Sequence, residues 1–380
     1  MTNATATTQN PAVANLQARM ALLQQGLAFT KLLPGITQGV PVLGNQVRIP
    51  LDRTGIVTGV TLLFTVPIDV TVAATQSPFG PWNIVQQLQY VDFAGVIHVQ
   101  TTGWQLHALN AVKAFRSIGN ANKMMGYVSS ETGIDTDILA LPTAVANANA
   151  YFALYVPLAY DARSDLRGAV LAQTDRGEHY ITVTFAPALV GADPFVAPYT
   201  AGTATLQAGT QISVQAFQHY LMPQAGVSPQ NLPLIDLSTI YEIQGNLFDN
   251  ANISAGNPKY TNWPNNRAVM SMLAMFNQGA AGGTLNGTDL QKITLLVNGN
   301  TNVRENTPPL MRLMQRDMLG WDFPSGVYYM GARTQPITTQ LYGNVQTKWD
   351  VLEAAAGTYI QSQFESTYLS GTPLPGVIQA

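Results

Sequence analysis

The chain of 380 residues has no cysteine, which excludes disulfides, thiolate zinc sites and a cysteine nucleophile together. Charge is scarce as well. Lys, Arg, Asp and Glu make up 10% of the residues, against about 25% in ordinary soluble proteins. Because charge keeps proteins apart in solution, such a surface suits a neutral, polar, β-rich secreted protein or one covered by copies of itself. The net charge of −3 offers no basic field, so no direct sequence-specific nucleic-acid binding is expected. No apolar run approaches the roughly 18 residues of a membrane-spanning helix. The opening MTNATATTQN lacks the charged and apolar regions of a secretory signal.

Recognisable chemistry is missing too. The four histidines are His98, His107, His179 and His219, and none belongs to an HExxH pair or to a set of three or four metal ligands. There is no Gly-x-Ser-x-Gly elbow. The stretch GAAGGTLNG (279–287) has neither phosphate-loop spacing nor a following lysine, and reads as a flexible loop. Near pairs of carboxylates occur, Asp135 with Asp137 and Asp317 with Asp322, which keeps a β-sandwich glycosidase open as a class. The expectation is no enzyme, no catalytic residue, no cofactor and no metal.

What is present is pattern. Asn10 and Pro11 make a helix start, and Val13, Leu16, Met20, Leu23 and Leu27 follow at 3-4 spacing, so residues 11–33 are expected to be helical up to Pro34-Gly35. The first 51 residues hold three basic residues and no acid, whereas the rest holds 15 basic against 21 acidic residues. From Ile56 the period changes to two. Ile56, Val60, Leu62, Phe64, Val66, Ile68, Val70 and Val72 occupy even positions, with only Thr58 interrupting, as in a half-buried strand. The run is long enough to suggest two strands, or one bent near Pro67.

Similar strand signals lie at 179–185, 211–221, 292–297 and 358–369, and Asn298-Gly299 marks a hairpin turn. Thr307-Pro308-Pro309 opens a short helix with Leu310, Leu313 and Met314 on one face. VMSMLAMF (269–276) fits a helix or a buried strand. The proline-rich, uncharged LMPQAGVSPQNLP reads as a linker between two β-rich halves. The resulting division is an arm at 1–45, a first unit at 46–222, a linker at 223–232 and a second unit with a C-terminal tail at 233–380. One phrase occurs in both halves: a tyrosine-bearing apolar run, a polar loop, then Leu-x-Gly-x-Val. Leu166, Gly168 and Val170 form one copy, and Leu341, Gly343 and Val345 the other. If the halves are duplicates, these residues should occupy equivalent places, with the leucines and valines facing a core.

Several stretches together resemble the double jelly-roll major capsid protein of tectiviruses, tailless icosahedral bacteriophages with an internal membrane. They are ANLQAR (14–19), FGPWNIVQQLQYVD (79–92), TTGWQLHALN (101–110), VPLAYDARSDLRGAVLA (156–172), NLPLIDLSTIYEI (231–243), DFPSGVYY (322–329) and LYGNV (341–345). They keep the family's order, and the residues after about Gln346 resemble it least. The resemblance implies an all-β chain of two eight-stranded antiparallel jelly rolls in tandem, with an N-terminal amphipathic helix. It also implies homotrimeric capsomers of pseudo-hexagonal outline in the capsid shell of the virion, made in the host bacterial cytoplasm. The implied partners are further copies of the chain, minor capsid and vertex proteins, and the viral internal membrane. On this reading Leu16, Arg19, Leu23 and Lys31 of the arm lie near the membrane, the competing arrangement being a helix packed wholly on its own barrel. A secreted β-sandwich carbohydrate-binding protein or glycosidase, and an adhesin, remain the other classes.

Overall fold

The computed structural model describes residues 27–118, 141–161, 166–172, 177–222, 239–249, 253–277, 290–299, 301–319, 323–324, 326–331, 336–342, 344–352 and 358–369. Residues 11–26 of the expected helix, the 223–232 linker, the 279–287 loop, Asp135, Asp137, Asp322 and Gly343 lie outside them.

The first half contributes two facing groups of strands. One runs in the order β1 (Leu27–Leu32), β10 (Ser213–Met222), β3 (Ile56–Gln76), β6 (Ala146–Pro157). The other runs β5 (Ile97–Thr101), β4 (Val85–Val91), β8 (Tyr180–Phe185), β2 (Gln46–Pro50). Between them the even row of β3 is buried from Val60 to Val70. Phe64 stacks on Phe152 at 4.7 Å and meets Phe185 edge-on, so the two groups share one core. The two-residue β7 (Val170–Leu171) and the eight-residue β9 (Tyr199–Leu206) extend the pairing of β3.

The second half repeats the plan. β11 (Thr239–Asp249), β19 (Tyr359–Leu369), β13 (Ala268–Asn277) and β16 (Val327–Gly331) lie in that order. Opposite them are β15 (Thr301–Asn306), β14 (Leu290–Val297), β18 (Val345–Val351) and β12 (Pro258–Asn262). With β7, β9 and β17 set aside, the eight remaining strands of each half, counted in chain order, both read first-eighth-third-sixth and fifth-fourth-seventh-second. A helix follows the fifth strand each time, α1 (Gly103–Ile118) in one half and α2 (Pro308–Leu319) in the other. A two-residue strand, β7 or β17 (Ile337–Thr338), then pairs with the beginning of the third strand.

The correspondence reaches individual residues. β3 carries one extra residue, Thr58, against β10, and β13 carries Met270 against β19 at the matching place. His98 bulges from β5 and Val303 from β15. The Asn110 side-chain amide of α1 donates to Tyr155 O, and that of Gln315 in α2 donates to Tyr329 O. The tyrosine-bearing runs of the repeated phrase are therefore true counterparts.

Other expectations need correction. Of the two readings of the long run, the single strand is what forms, β3 of 21 residues. Pro67 lacks an N–H, and it falls in the gap where β10 stops pairing (at Thr65) and β9 starts (at Ile68), so no ladder bond is lost on that edge. Residues 27–32, expected in the helical arm, form β1, because six successive registers with β10 outweigh the helical spacing of one leucine. The first β unit accordingly begins upstream of residue 46. The ambiguous VMSMLAMF is strand β13, buried on both faces. Asn298 and Gly299 lie in the connection from β14 to β15, and both have positive φ, as a tight hairpin turn uses. Helix α1 has no forerunner in the sequence reading.

The Leu-x-Gly-x-Val copies lie in the same connection, between the sixth and seventh strands, but out of register. Val170 sits on β7 opposite Val57, the place that Ile337 takes opposite Val269. Val345 instead opens β18 and is buried. Leu166 is buried, whereas Leu341 ends a short 3-10 turn and is exposed. Unequal lengths of chain between the sixth and seventh strands displace one copy along the path.

Candidate functional site

The two halves are joined along a continuous seam, which holds a buried ion pair between them. β5 of the first half pairs in parallel with β11 of the second, Val99 opposite Ile243 and Gln100 opposite Gln244, so one sheet crosses the seam. Helix α1 lies against this junction. Its Leu106 and Leu109 enter the first core, while Trp104, Ala108 and Val112, spaced by four, pack on the outer face of the second half. There they meet Leu273 and Met275 of β13, Phe323, and Val327 and Tyr329 of β16. Trp104 also meets Phe79 edge-on at 4.9 Å.

Polar groups complete the seam. Lys113 Nζ lies 2.7 Å from Glu365 Oε1 and donates to the Tyr241 hydroxyl at 2.6 Å. Tyr241 and Ser271 donate to the two oxygens of the same carboxylate, at 2.9 Å each. Glu365 is fully buried, so this set of donors is what makes its charge tolerable. Thr101 and Gln105 of the first half bond Gln363 of β19. Further along, Asp193 accepts from Asn277 and, at 2.7 Å, from the Tyr359 hydroxyl. Burial and the Asp193 charge hold the Tyr359 hydroxyl above its ordinary pKa, so it stays a donor.

The histidines are distributed rather than convergent. His107 stacks on Trp82 at 3.6 Å, and burial lowers its pKa from 6.5 to about 3, so it is neutral. His98 bonds Asp92 at 2.7 Å across the β4–β5 hairpin, a carboxylate that sequence spacing did not suggest. His219 lies between Thr30 and Thr61, at 3.1 and 2.7 Å, and burial lowers its pKa. Among the described residues no three His, Asp or Glu side chains are placed to hold a metal ion. A cleft of about 280 Å³ opens at the seam beside Asp92, His98, Gly168 and Tyr241.

Of the residues expected near a membrane, Leu16, Arg19 and Leu23 lie outside the described structure. Lys31 is on strand β1 and forms an ion pair with Asp52, which raises its pKa. Its charge is thus neutralised within the chain. The repeated-phrase residue Gly168 lies at the seam: φ is +86°, and its α-carbon packs against Tyr241 of β11. The sequence singled out Gly168 only as part of the repeated phrase, and it marked none of the polar seam residues Gln105, Lys113, Tyr241, Gln363 and Glu365. The signals available were the paired stripes Leu106/Leu109 and Trp104/Ala108/Val112, which show a helix with two apolar faces.

A mostly β chain built twice on one plan and closed along an apolar, ion-paired seam is similar to known viral capsid subunits. The STIV MCP crystal structure matches with a TM-score of 0.63 at 11% identity, covering 93% of this chain and 100% of that one. The PBCV-1 virus capsid matches at 0.62 and 11% identity, covering 90% and 93%. The major capsid protein P2 of bacteriophage PM2 matches at 0.52 and 9%, covering 91% and 99%. These define the class, a double jelly-roll capsid fold. The family models for the P3 major capsid protein match over residues 1–223 (N-terminal) and 238–373 (C-terminal). The major capsid protein P3 of Enterobacteria phage PRD1 is 31% identical over 351 residues, covering 89% of this chain and 86% of its own length. The chain belongs to the P3 major capsid protein family. It is a structural protein of a bacteriophage capsid, not an enzyme, and it acts by assembling with itself.

Proposed function

We propose that the chain forms homotrimers of pseudo-hexagonal outline, each half contributing one eight-stranded jelly roll, and that these trimers tile an icosahedral shell over an internal membrane. The observation that carries this is the duplicated strand order with its matched bulges and matched Asn110–Tyr155 and Gln315–Tyr329 bonds. Two like units per chain, taken three times, approximate sixfold packing. The seam supports the reading, because a fixed angle between the halves is what a regular hexagonal outline needs. Minor capsid and vertex proteins would be the other partners, and the bacterial cytoplasm the site of synthesis. The domain boundaries follow as a first roll beginning near Leu27 and ending near 222, a connection, and a second roll reaching Leu369. The N-terminal amphipathic helix is placed by this reading within residues 11–26, with Leu16, Arg19 and Leu23 toward the membrane. Lys31, half-exposed on edge strand β1 beside Asp52, would lie on the same side.

Native mass measurement tests the proposal. Three times 40.8 kDa is the expected value, and a 40.8 kDa species under assembly salt would defeat it. Deleting residues 1–26, which spares β1, should leave the trimer intact and prevent enclosure of a membrane. Normal membrane-containing particles from that deletion would remove the arm's proposed role.

A further inference from the structure

Two sheltered carboxylates beside the seam are matched by cations, Glu365 by Lys113 and Glu242 by Arg267. Asp92 is not. It lines the cleft of about 280 Å³, and no lysine or arginine belongs to that lining. Among the described residues its ion-pair contact is the imidazole of His98. A carboxylate turned into a cleft without a balancing cation favours a cationic occupant and repels an anionic one.

The carboxylate is held firmly without being saturated. Oδ1 accepts from the backbone N–H of Ala94 at 2.9 Å and of Val96 at 2.8 Å, which uses both of its lone pairs. Oδ2 accepts from His98 Nε2 at 2.7 Å, which leaves it one acceptor position. His98 Nδ1 is buried and faces no partner among the described residues, so the ring is fitted to give Asp92 a hydrogen bond rather than a second charge. The walls around this acceptor are aromatic and apolar, among them Tyr90, Phe93, Leu158, Leu171 and Tyr241. Leu171 is also exposed to solvent, as are Val96 and Ile97 between the lining residues Phe93 and His98.

We propose that this cleft binds a primary ammonium group carried on a short apolar stem. One ammonium N–H takes the open position on Asp92 Oδ2 as a charge-assisted hydrogen bond. The aromatic rings of the lining favour the same charge through their π faces, and the leucines receive the stem. The volume suits a molecule of a few heavy atoms. Two sources carry this chemistry, a free alkylamine or polyamine and the ethanolamine head of a bilayer lipid. Leu171 opposes Ile56, Ile56 opposes Leu221, and Leu221 opposes Ala28, so the cleft lies at the end of the first half where the N-terminal arm joins β1. The lipid source rests on the reading of the shell as covering a membrane; the free amine does not.

Saturation-transfer NMR on the full-length protein at neutral pH tests the site, with n-butylammonium as probe and n-butanol as its uncharged match. The ammonium should bind saturably with about millimolar affinity, the scale for so small a ligand. Butanol should bind at least about 10-fold more weakly, because it lacks the charge-assisted bond. Asp92→Asn should bring the ammonium down to the level of the alcohol with an unchanged circular dichroism spectrum. Equal binding of the two probes to the wild type, or full ammonium binding by Asp92→Asn, would overturn the proposal. The comparison of probes on the wild type decides the question if the variant does not fold. Displacement of butylammonium by phosphatidylethanolamine vesicles, and not by phosphatidylglycerol vesicles, identifies the lipid source. Displacement by ethanolamine or putrescine alone identifies a free amine and leaves the site standing without the membrane. Displacement by none of these would mark binding of the probe only, and the site would fall.

Discussion

Replacing Gly168 by alanine is the sharpest probe of the seam, because two separate penalties meet at one α-carbon. Its φ of +86° is a conformation that a side chain resists, at about 1–2 kcal/mol. The added Cβ would also lie 2.2 Å from Tyr241 Cβ, 2.8 Å from Leu158 O and 3.0 Å from Tyr241 N. Neither the Tyr241 Cβ nor the backbone atoms can swing away as a side-chain tip would, so β11 itself must move. Overpacking of this kind costs about 1–3 kcal/mol. The total is about 2–5 kcal/mol, or a fall in midpoint of roughly 4–20 °C if a half unfolds as one domain. Gly209 is the control. Its φ is +72° with no atom within 4 Å of the missing Cβ, so Gly209→Ala should show the backbone cost alone. Chemical unfolding at one protein concentration keeps assembly from masking the difference. Equal losses for the two variants would mean that the close approach to Tyr241 carries no energy.

Two further outcomes follow from the seam and from a buried histidine. Lys113→Met strands the Glu365 carboxylate, and loss of one partner of a buried pair should cost about 3–5 kcal/mol in urea unfolding; adding Glu365→Gln should recover most of it, and no recovery would argue against the pairing. For His107 the folded pKa of about 3 lies below the ordinary 6.5, so the unfolded chain binds more protons between those values and stability falls as pH drops through that window. His107→Phe should keep the stacking on Trp82 and flatten the acid limb by up to about 1.4 kcal/mol per pH unit. His219, shifted in the same direction, should leave a residual slope; identical acid limbs in wild type and variant would refute the assignment to His107.

How far the fold could be read depended on what covers each strand. The β3 row was legible because one face meets the core and the other carries Thr61, Leu63 and Thr65 toward the outside. Its one irregular residue, Thr58, is the bulge. The Asn298-Gly299 turn and the Pro308-Pro309 helix start were legible because each rests on local backbone chemistry. β1 was misread because its pairing with β10 involves residues nearly 200 positions away, against a leucine that happened to continue a helical spacing. Helix α1 was missed for the opposite reason: its residues 103–112 are all buried, so they lack the exposed polar face that marks an amphipathic helix.

The seam itself was hidden by its polarity. In β19 the residues Gln361, Gln363, Glu365 and Thr367 alternate with apolar or small ones, which reads as a strand with one face in water. All four are buried. Their solvent has been replaced by Thr101, Gln105, Lys113 and Tyr241, so the alternation records hydrogen-bonding need rather than exposure. The converse holds in the first half, where Phe217 and Leu63 stand at the positions of Gln363 and Met275, and α2 turns leucines outward. A polar face that is covered within the chain and an apolar face that is left open share one cause: two copies of a unit diverged at positions that meet different neighbours. That divergence also accounts for the scarcity of charge. Lys113 and Glu365 must be matched atom by atom to be buried, so a chain with this much covered surface can hold few such pairs.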